Sequence, residues 1–250
     1  MKQTKHFGAA LAVTMALVAP AWAQSPAPAK PAKDPAAIAA LDSMAAYLRT
    51  LKAFQVESVT TTDEVLSNGQ QVTYSAKTMI LAEMPSKLFA TVSSDRNERT
   101  YVYDGKNFTL VARRVGYYAT VAAPATLREL DDVLSEKYGI EIPLADLFRW
   151  GGPNWSNADI TVAADAGPGE VDGVTCQHYL FRQEGSDWQI WIQKGAYPLP
   201  RKLVITTTSD PARPQHSAVF KWNLAPSYNA EAFTFTPSAN VSRIPMAEAK

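Results

Sequence analysis

The sequence predicts a mostly β (α+β) domain built on one wide antiparallel sheet. Short segments with period-two alternation recur on both sides of a central helical stretch, which is typical of strands. The turns between them are tight, as at Asn68-Gly69 and Asp104-Gly105, so consecutive strands pair as antiparallel neighbours. A sheet of roughly ten strands has to curl in order to bury one face.

The first 23 residues have the pattern of a cleavable secretory signal. Lys2 and Lys5 precede an apolar stretch, 7–18, which is followed by the small-residue pattern Ala-Trp-Ala at 21–23. This stretch is shorter than the about 20 residues that a membrane-spanning helix needs. Gln24 follows the cut, where a lipoprotein would have an acylated cysteine. We therefore expect a soluble periplasmic protein of a Gram-negative bacterium, not an integral membrane protein.

Charge and cysteine content exclude several classes of function. The chain has 24 basic and 24 acidic side chains, and removal of the signal leaves a small acidic excess. No basic field is present to attract nucleic acid or an anionic membrane.

The single cysteine, Cys176, cannot form an internal disulfide, so the core alone must stabilise the fold. Metal-ligand spacings and phosphate-binding loops are absent from the sequence, and no cofactor or metal is expected.

The mature chain is divided into a linker and one domain. Residues 24–34 form a Pro/Ala-rich linker, and 35–245 form the domain. Asp34 before Pro35 predicts the start of a helix, whose apolar residues recur at helical spacing as far as Leu51. After this helix, the first set of strands is predicted at 53–66, 70–82, 87–94, 98–103, 107–113 and 117–121.

A helical insertion at about 125–155 separates the two sets of strands. Its first helix ends at Gly139, and a second short helix spans 144–148. The acidic residues of the insertion are interpreted as a solvated helix face: Glu129, Asp131, Asp132, Glu136 and Glu141. The second set of strands begins near 160 and continues at 175–182, 187–193, 201–208, 216–224 and 233–236.

No catalytic constellation is visible in the sequence. A G-x-S-x-G nucleophile elbow is absent, and two histidines remain after the signal. His178 shares a strand face with Cys176 and Leu180 and is interpreted as a core residue, whereas His216 is interpreted as a surface residue. We therefore expect the protein not to be an enzyme.

Several segments carry a resemblance to known families. The strand at 187–193, the Leu199-Pro200 turn into the next strand and the closing Phe-x-Phe-x-Pro at 233–237 resemble the outer-membrane lipoprotein carriers of the LolA/LolB type. Nearly the whole mature chain is similar to an uncharacterised family of predicted periplasmic proteins. The segments that are most specific for that family are 60–65, 92–96, 116–121, 136–140, 143–150 and 187–192.

The resemblance implies a strongly curved antiparallel half-barrel whose concave face is covered by the N-terminal helix and the helical insertion. It also implies an apolar cavity that holds a lipid-like or lipoprotein acyl ligand, and hence a periplasmic binding or carrier protein. The candidate ligand-binding residues on the strands are Tyr74, Ile80, Tyr101 and Tyr103. The candidate lid residues of the insertion are Leu127, Leu130, Leu134 and Phe148.

Two other functions stay open at the level of sequence. A protein-interaction or sensor module of the cell envelope would bind a protein partner and expose apolar patches in place of an enclosed cavity. A hydrolase would need a nucleophile beside a base, brought together from distant parts of the chain.

Overall fold

The fold begins with a helix and continues as a long sheet that two short helices interrupt. The structure is a computed structural model that describes residues 33–153 and 155–249, so the predicted signal, 1–23, and nearly all of the predicted linker lie outside the described residues. The helices are α1 (Pro35–Thr50), α2 (Leu127–Tyr138) and α3 (Asp146–Arg149). The strands are β1 (Ala53–Val65), β2 (Gln71–Glu83), β3 (Lys87–Ser94), β4 (Glu98–Tyr103), β5 (Asn107–Ala112), β6 (Tyr117–Ala122), β7 (Val162–Val171), β8 (Val174–Gln183), β9 (Ser186–Gln193), β10 (Pro200–Thr207), β11 (Gln215–Asn223) and β12 (Ser242–Arg243).

The two longer helices begin and end where the sequence predicts. The Asp34 side chain caps α1 by accepting a hydrogen bond from the backbone N–H of Ala36. Thr126 and Glu129 form a reciprocal capping box at the start of α2, and Gly139 ends it with a φ of 63°. One stripe of α1 is buried, which is why this helix packs onto the sheet: Ala37, Leu41, Met44, Ala45 and Leu48.

The strands form one open sheet of twelve strands in the order β12-β6-β5-β4-β3-β2-β1-β11-β10-β9-β8-β7. Every pair is antiparallel except β12 with β6, and the two end strands do not pair with each other. The predicted mostly β fold with a curved, unclosed sheet is thereby confirmed. The strand predicted at 233–236 is wrong, because the chain there makes a 3-10 turn at Ala230–Phe233 and its last strand comes later.

We call inner the face of the sheet that carries Val56, Ile80 and Tyr101. Val56 lies opposite Ile80, and Ala90 lies opposite both Ile80 and Tyr101, so these residues point to the same side. They belong to one hydrophobic core that also contains the buried residues of α1, α2 and α3. The helices therefore cover the inner face, as predicted.

The C-terminal segment covers part of the opposite, outer face. Val102 on β4 alternates with the inner-face tyrosines and is nevertheless buried. The rings of Tyr118 on β6 and Phe235 in the C-terminal segment lie 4.9 Å apart between centroids. The Tyr228 hydroxyl donates a hydrogen bond to Glu83. The end of β4, Thr100–Tyr103, is therefore buried on both faces, which explains its apolar residues at successive positions.

Tyr103 provides a test of the packing in this half of the sheet. It is fully buried, and its hydroxyl donates a 2.6 Å hydrogen bond to the carbonyl of Pro124. Burial raises the pKa of Tyr103 from 10.0 to about 12. The protonated phenol therefore stabilises the fold fully below about pH 10, and this stabilisation is lost as the pH rises towards about 12.

We expect Tyr103→Phe to be less stable than the wild type by about 1 kcal/mol at neutral pH, because a buried hydrogen bond is lost. The difference in the free energy of unfolding between the two proteins should become smaller at alkaline pH. Only the wild type has a phenol at position 103, and its ionisation favours the unfolded state. Urea unfolding of both proteins over this pH range measures the difference. A difference that stays constant up to about pH 12 would contradict the raised pKa.

Candidate binding site

A cavity of about 450 Å³ lies between the helical insertion and the inner face of the C-terminal half of the sheet. We call it the inner cavity. Its floor is formed by Trp188 on β9 and by Leu203 and Ile205 on β10. Its other apolar lining residues come from α1, from α3 and from the chain between α3 and β7: Leu41, Phe148, Trp150, Trp155 and Ile160. Its charged lining residues are Arg128, Asp131, Asp132, Asp146, Arg149 and Asp159.

The insertion is held over this cavity by direct contacts with α1. The Arg49 guanidinium donates from Nη1 to the carbonyl of Phe148 at 2.8 Å and from Nη2 to the carbonyl of Leu147 at 2.7 Å. Gly151 has a φ of 68° and packs so closely that a Cβ at this position would lie 2.8 Å from the Ala45 carbonyl oxygen. Only glycine fits such an approach without strain. The position of the cavity roof thus depends on α1.

Asp131 is the charged residue buried most deeply in the inner cavity. It is 2 % exposed, and its Oδ2 accepts a 2.6 Å hydrogen bond from Arg149 Nε. Its Oδ1 is buried and has no hydrogen-bond partner among the described residues. Burial raises the pKa of the Asp131 carboxyl, and the Arg149 guanidinium offsets only part of this effect.

The interpretation of Asp131 as part of a solvated helix face is therefore wrong. Its position could have indicated burial, because Asp131 lies one helical turn after Leu127 and thus on the apolar stripe of α2. Asp132, the next residue, is exposed and lies at the rim of the cavity.

His216, interpreted as a surface residue at a strand edge, is half-buried, and the predicted edge position is wrong. His216 on β11 is opposite Thr62 on β1 and Ile205 on β10, so it belongs to the inner face. Its Nδ1 lies 2.8 Å from the Thr62 hydroxyl. Burial lowers the pKa of His216, and the nearby Asp146 carboxyl opposes this effect. The strand edge suggested by Pro214 does not exist, because β11 is a central strand.

His178, interpreted as a core residue, lies on the outer face. It is opposite Trp191, and the two rings stack with centroids 3.8 Å apart. Its Nε2 lies 3.1 Å from the Gln189 side-chain oxygen, and the residue is half-buried. This hydrogen bond satisfies the Nε2 atom of the ring. The predicted interior position of His178 is wrong.

The eight predicted ligand-binding residues fall into three places. Phe148 lines the inner cavity. Tyr74 is half-buried, and its ring lies 4.3 Å from the Arg96 guanidinium carbon. The other six are buried in the core of the N-terminal half: Ile80, Tyr101, Tyr103, Leu127, Leu130 and Leu134. The inner cavity lies beside the other half of the sheet, so these six residues do not line it. Their predicted contacts with a ligand stay a prediction.

Sequence reasoning missed Trp188, Leu203 and Ile205 as lining residues. Trp188 and Ile205 lie opposite each other, and Ile205 lies opposite His216, so one row of the inner face continues under the insertion. Alternation in the sequence identifies residues that share a face, but it does not show where the covering helices leave space. The aromatic residues of 148–155 were the feature of the sequence that could have indicated a cavity beside this part of the chain.

Within residues 33–153 and 155–249, none of the helices is both long and apolar enough to cross a membrane. The same part of the chain contains no group of three or more His, Cys, Asp or Glu side chains arranged to hold a metal ion.

Comparison with solved structures gives low sequence identities. Lipoprotein LppX from Mycobacterium tuberculosis is 12% identical, with a TM-score of 0.49 over 79% of this chain and 100% of that chain. LprF from Mycobacterium bovis is 12% identical, with a TM-score of 0.46 over 79% and 97% of the two chains. The LolA superfamily protein NE2245 from Nitrosomonas europaea is 9% identical, with a TM-score of 0.34 over 80% and 97%.

A search of the curated proteins finds no significant match. A family model described as "Predicted periplasmic protein (DUF2092)" matches residues 37–247, which is most of the chain and includes every helix and strand named above except the start of α1. The location that the export signal predicts, the periplasm, agrees with this description. The chain therefore belongs to the DUF2092 family of predicted periplasmic proteins.

Proposed function

We propose that this protein is a periplasmic binding or carrier protein that holds a lipid-like ligand in the inner cavity. The observation that carries the proposal is the volume of about 450 Å³ between the insertion and an apolar part of the sheet. Pockets for small molecules commonly measure about 300–1,000 Å³ and are lined mainly by apolar side chains with a few polar groups. The inner cavity lies within this range of volume, and its apolar floor is combined with a larger share of charged side chains than is usual.

The distribution of its lining residues suits an amphipathic ligand. The floor is apolar, since it consists of Trp188, Leu203 and Ile205, of which Leu203 is almost fully buried. Charged residues from the insertion line the opposite side, with Asp131 and Arg149 among them. An apolar chain would lie on the sheet, where it removes apolar surface from water, and a polar head would face the insertion.

Binding without a chemical step is the second part of the proposal. Thr62 and His216 form a hydroxyl–imidazole pair, but neither residue lines the inner cavity. Asp146, the carboxyl that influences His216, makes no side-chain hydrogen bond to it among the described contacts. A nucleophile activated by histidine needs a base that is itself oriented by a third group. Among the described contacts, the Asp146 carboxylate is not hydrogen-bonded to His216, so it does not orient the imidazole.

The uncharged fluorophore N-phenyl-naphthylamine, which brightens in apolar surroundings, tests the proposal. We expect saturable binding of one probe per mature chain, together with a change in tryptophan emission, because Trp150, Trp155 and Trp188 line the cavity. Ile205→Trp would fill part of the cavity and weaken probe binding at least about tenfold, or ~1.4 kcal/mol. The matched control is Val59→Trp, since Val59 is 54% exposed and lies outside the cavity.

Equal probe affinity of Ile205→Trp and Val59→Trp would place the binding elsewhere and contradict the proposal. Native mass spectrometry of protein purified without detergent is the companion measurement, with a bound lipid as the expected result. A mature protein that carries no lipid and takes up no probe would eliminate the carrier function.

One observation favours a second candidate, a protein-interaction module of the cell envelope. Val115, Tyr117 and Ile244 are exposed by 64%, 45% and 42%. They lie close together, since β12 pairs with β6 and the Ile244 N–H donates to the Tyr118 carbonyl. Exposed apolar groups in one place are typical of contact surfaces. Native mass spectrometry that shows a bound protein in place of a lipid would favour this candidate.

A further inference from the structure

We propose that the inner cavity selects amphiphiles whose polar head carries an ammonium group. This inference rests on the proposed function and specifies the chemical class of its ligand. Three independent features of the cavity lining support it: its aromatic rings, its excess of carboxylates and one buried carboxylate oxygen that lacks a hydrogen-bond donor.

Aromatic side chains surround the cavity. The indole rings of Trp150, Trp155 and Trp188 line it together with the Phe148 ring. The face of an aromatic ring attracts a cation, and indole does so most strongly, with a benefit that grows when water is excluded. Trp150 is almost fully buried and the other two indoles are half-buried, so part of this surface is shielded from water. Rings of this kind favour a cationic head over an anionic one.

Carboxylates outnumber guanidiniums in the lining by four to two. One of the two guanidiniums, that of Arg149, is already engaged by Asp131. The remaining groups are the carboxyls of Asp132, Asp146 and Asp159 against the guanidinium of Arg128. Asp146 contributes least to this excess, because burial raises its pKa and so favours its neutral form. Charges that line a cleft act on the same volume, and the low-dielectric walls strengthen their field. The cavity therefore attracts a positively charged group and repels a carboxylate.

The free oxygen of Asp131 gives this preference a definite contact. Asp131 is 2 % exposed, and its Oδ1 has no hydrogen-bond partner among the described residues. A buried acceptor without a donor is less favourable than one that is hydrogen-bonded, because its lost contacts with water are not replaced. Burial raises the pKa of Asp131, whereas the ion pair with Arg149 favours the ionised form. In that form both oxygens only accept hydrogen bonds, so the missing partner is a donor. An ammonium head supplies both the N–H donor and the opposite charge.

Arg128 is the group that would favour the opposite outcome. It lines the cavity, and its Nε is buried without a hydrogen-bond partner in the described part of the chain. An anionic head could pair with this guanidinium. The experiment therefore compares heads of different charge on the same apolar chain.

Dodecylamine, dodecanol and dodecanoate displace bound N-phenyl-naphthylamine in competition at neutral pH, below their critical micelle concentrations. We expect dodecylamine to bind at least about tenfold more tightly than dodecanoate, with dodecanol between them. In Asp131→Asn the preference for the amine over dodecanoate should fall about fivefold. Asp95→Asn is the control, because Asp95 is exposed and lies outside the cavity lining.

A double variant that combines Asp132→Asn and Asp159→Asn provides the test if Asp131→Asn fails to fold. Both residues are exposed at the rim of the cavity, so their substitution leaves the core intact, and the amine preference should again decrease. Dodecanoate that binds as tightly as dodecylamine, or an amine preference that neither variant changes, would overturn the ammonium proposal while the binding function stands. Failure of all three amphiphiles to displace the probe would count against the binding function itself.

Discussion

Gly151→Ala should destabilise the protein by about 3 kcal/mol, because two penalties act at the same position. The φ of 68° lies in the left-handed region, which costs an alanine roughly 1–2 kcal/mol. The new Cβ would also lie 2.8 Å from the Ala45 carbonyl oxygen, so α1 and the insertion would have to move apart. Chemical denaturation of both proteins measures the difference in the free energy of unfolding.

Gly139→Ala is a matched control for this prediction. Gly139 has a φ of 63°, but a Cβ there would meet only the Ala249 Cβ at 3.5 Å, which is an ordinary contact. We therefore expect Gly139→Ala to lose only the conformational part, about 1–2 kcal/mol. The difference between the two variants isolates the close approach of the insertion to α1. Equal losses in the two variants would show that the chain at Gly151 adapts without cost.

Arg49→Met should cost about 3 kcal/mol and should also weaken the roof of the inner cavity. Arg49 donates to the carbonyls of Leu147 and Phe148, which are terminal acceptors of α3. Met retains most of the apolar stem but leaves both acceptors without a donor. The loss is smaller than two full charged hydrogen bonds, because burial and the nearby Arg128 charge already lower the pKa of Arg49.

The functional consequence is a faster release of ligand. With its link to α1 removed, the insertion can move away from the sheet more often, so we expect the dissociation rate of N-phenyl-naphthylamine to increase at least about fivefold, or ~1 kcal/mol. Stopped-flow dilution measures this rate. Arg49→Lys keeps the charge but not the bidentate geometry of the guanidinium. Its dissociation rate should lie between those of Arg49→Met and the wild type. Wild-type stability and release rate in Arg49→Met would refute the role of this contact.

Local signals in the sequence were sufficient for most elements of the fold. Asp34 and Gly139 mark helix ends through the hydrogen bonds and backbone angles that such ends require. Asn68-Gly69 predicted the β1–β2 hairpin because its two residues suit a tight turn. The prediction failed at 233–236, where alternating Phe and Thr residues pack against the outer face without joining the sheet. Alternation is a property of one segment, whereas pairing needs a free neighbouring strand edge.

The candidate site was predicted less well for a related reason. Period two correctly placed Tyr74 and Ile80 on one face, and their inner-face partners follow from the pairing of β2 with β3 and of β3 with β4. The same rule could not distinguish a row that is closed into the core, such as that of Ile80, from a row that borders a cavity, such as that of Ile205. That distinction depends on the volume left between the helices and the sheet.

The sequence by itself predicted the export signal. It also determined the positions of nearly all strands, the ends of the helices and the alternation of buried and exposed residues. Each of these depends on residues that are close together along the chain. The tertiary structure decided that β1 pairs with β11 and so joins the two sets of strands in one sheet. It also decided that Asp131 is buried beside Trp150 and Trp188, which places a carboxylate and aromatic rings around one cavity. These contacts join residues far apart in sequence, and they form only because the sheet and the helices bury their apolar faces against each other.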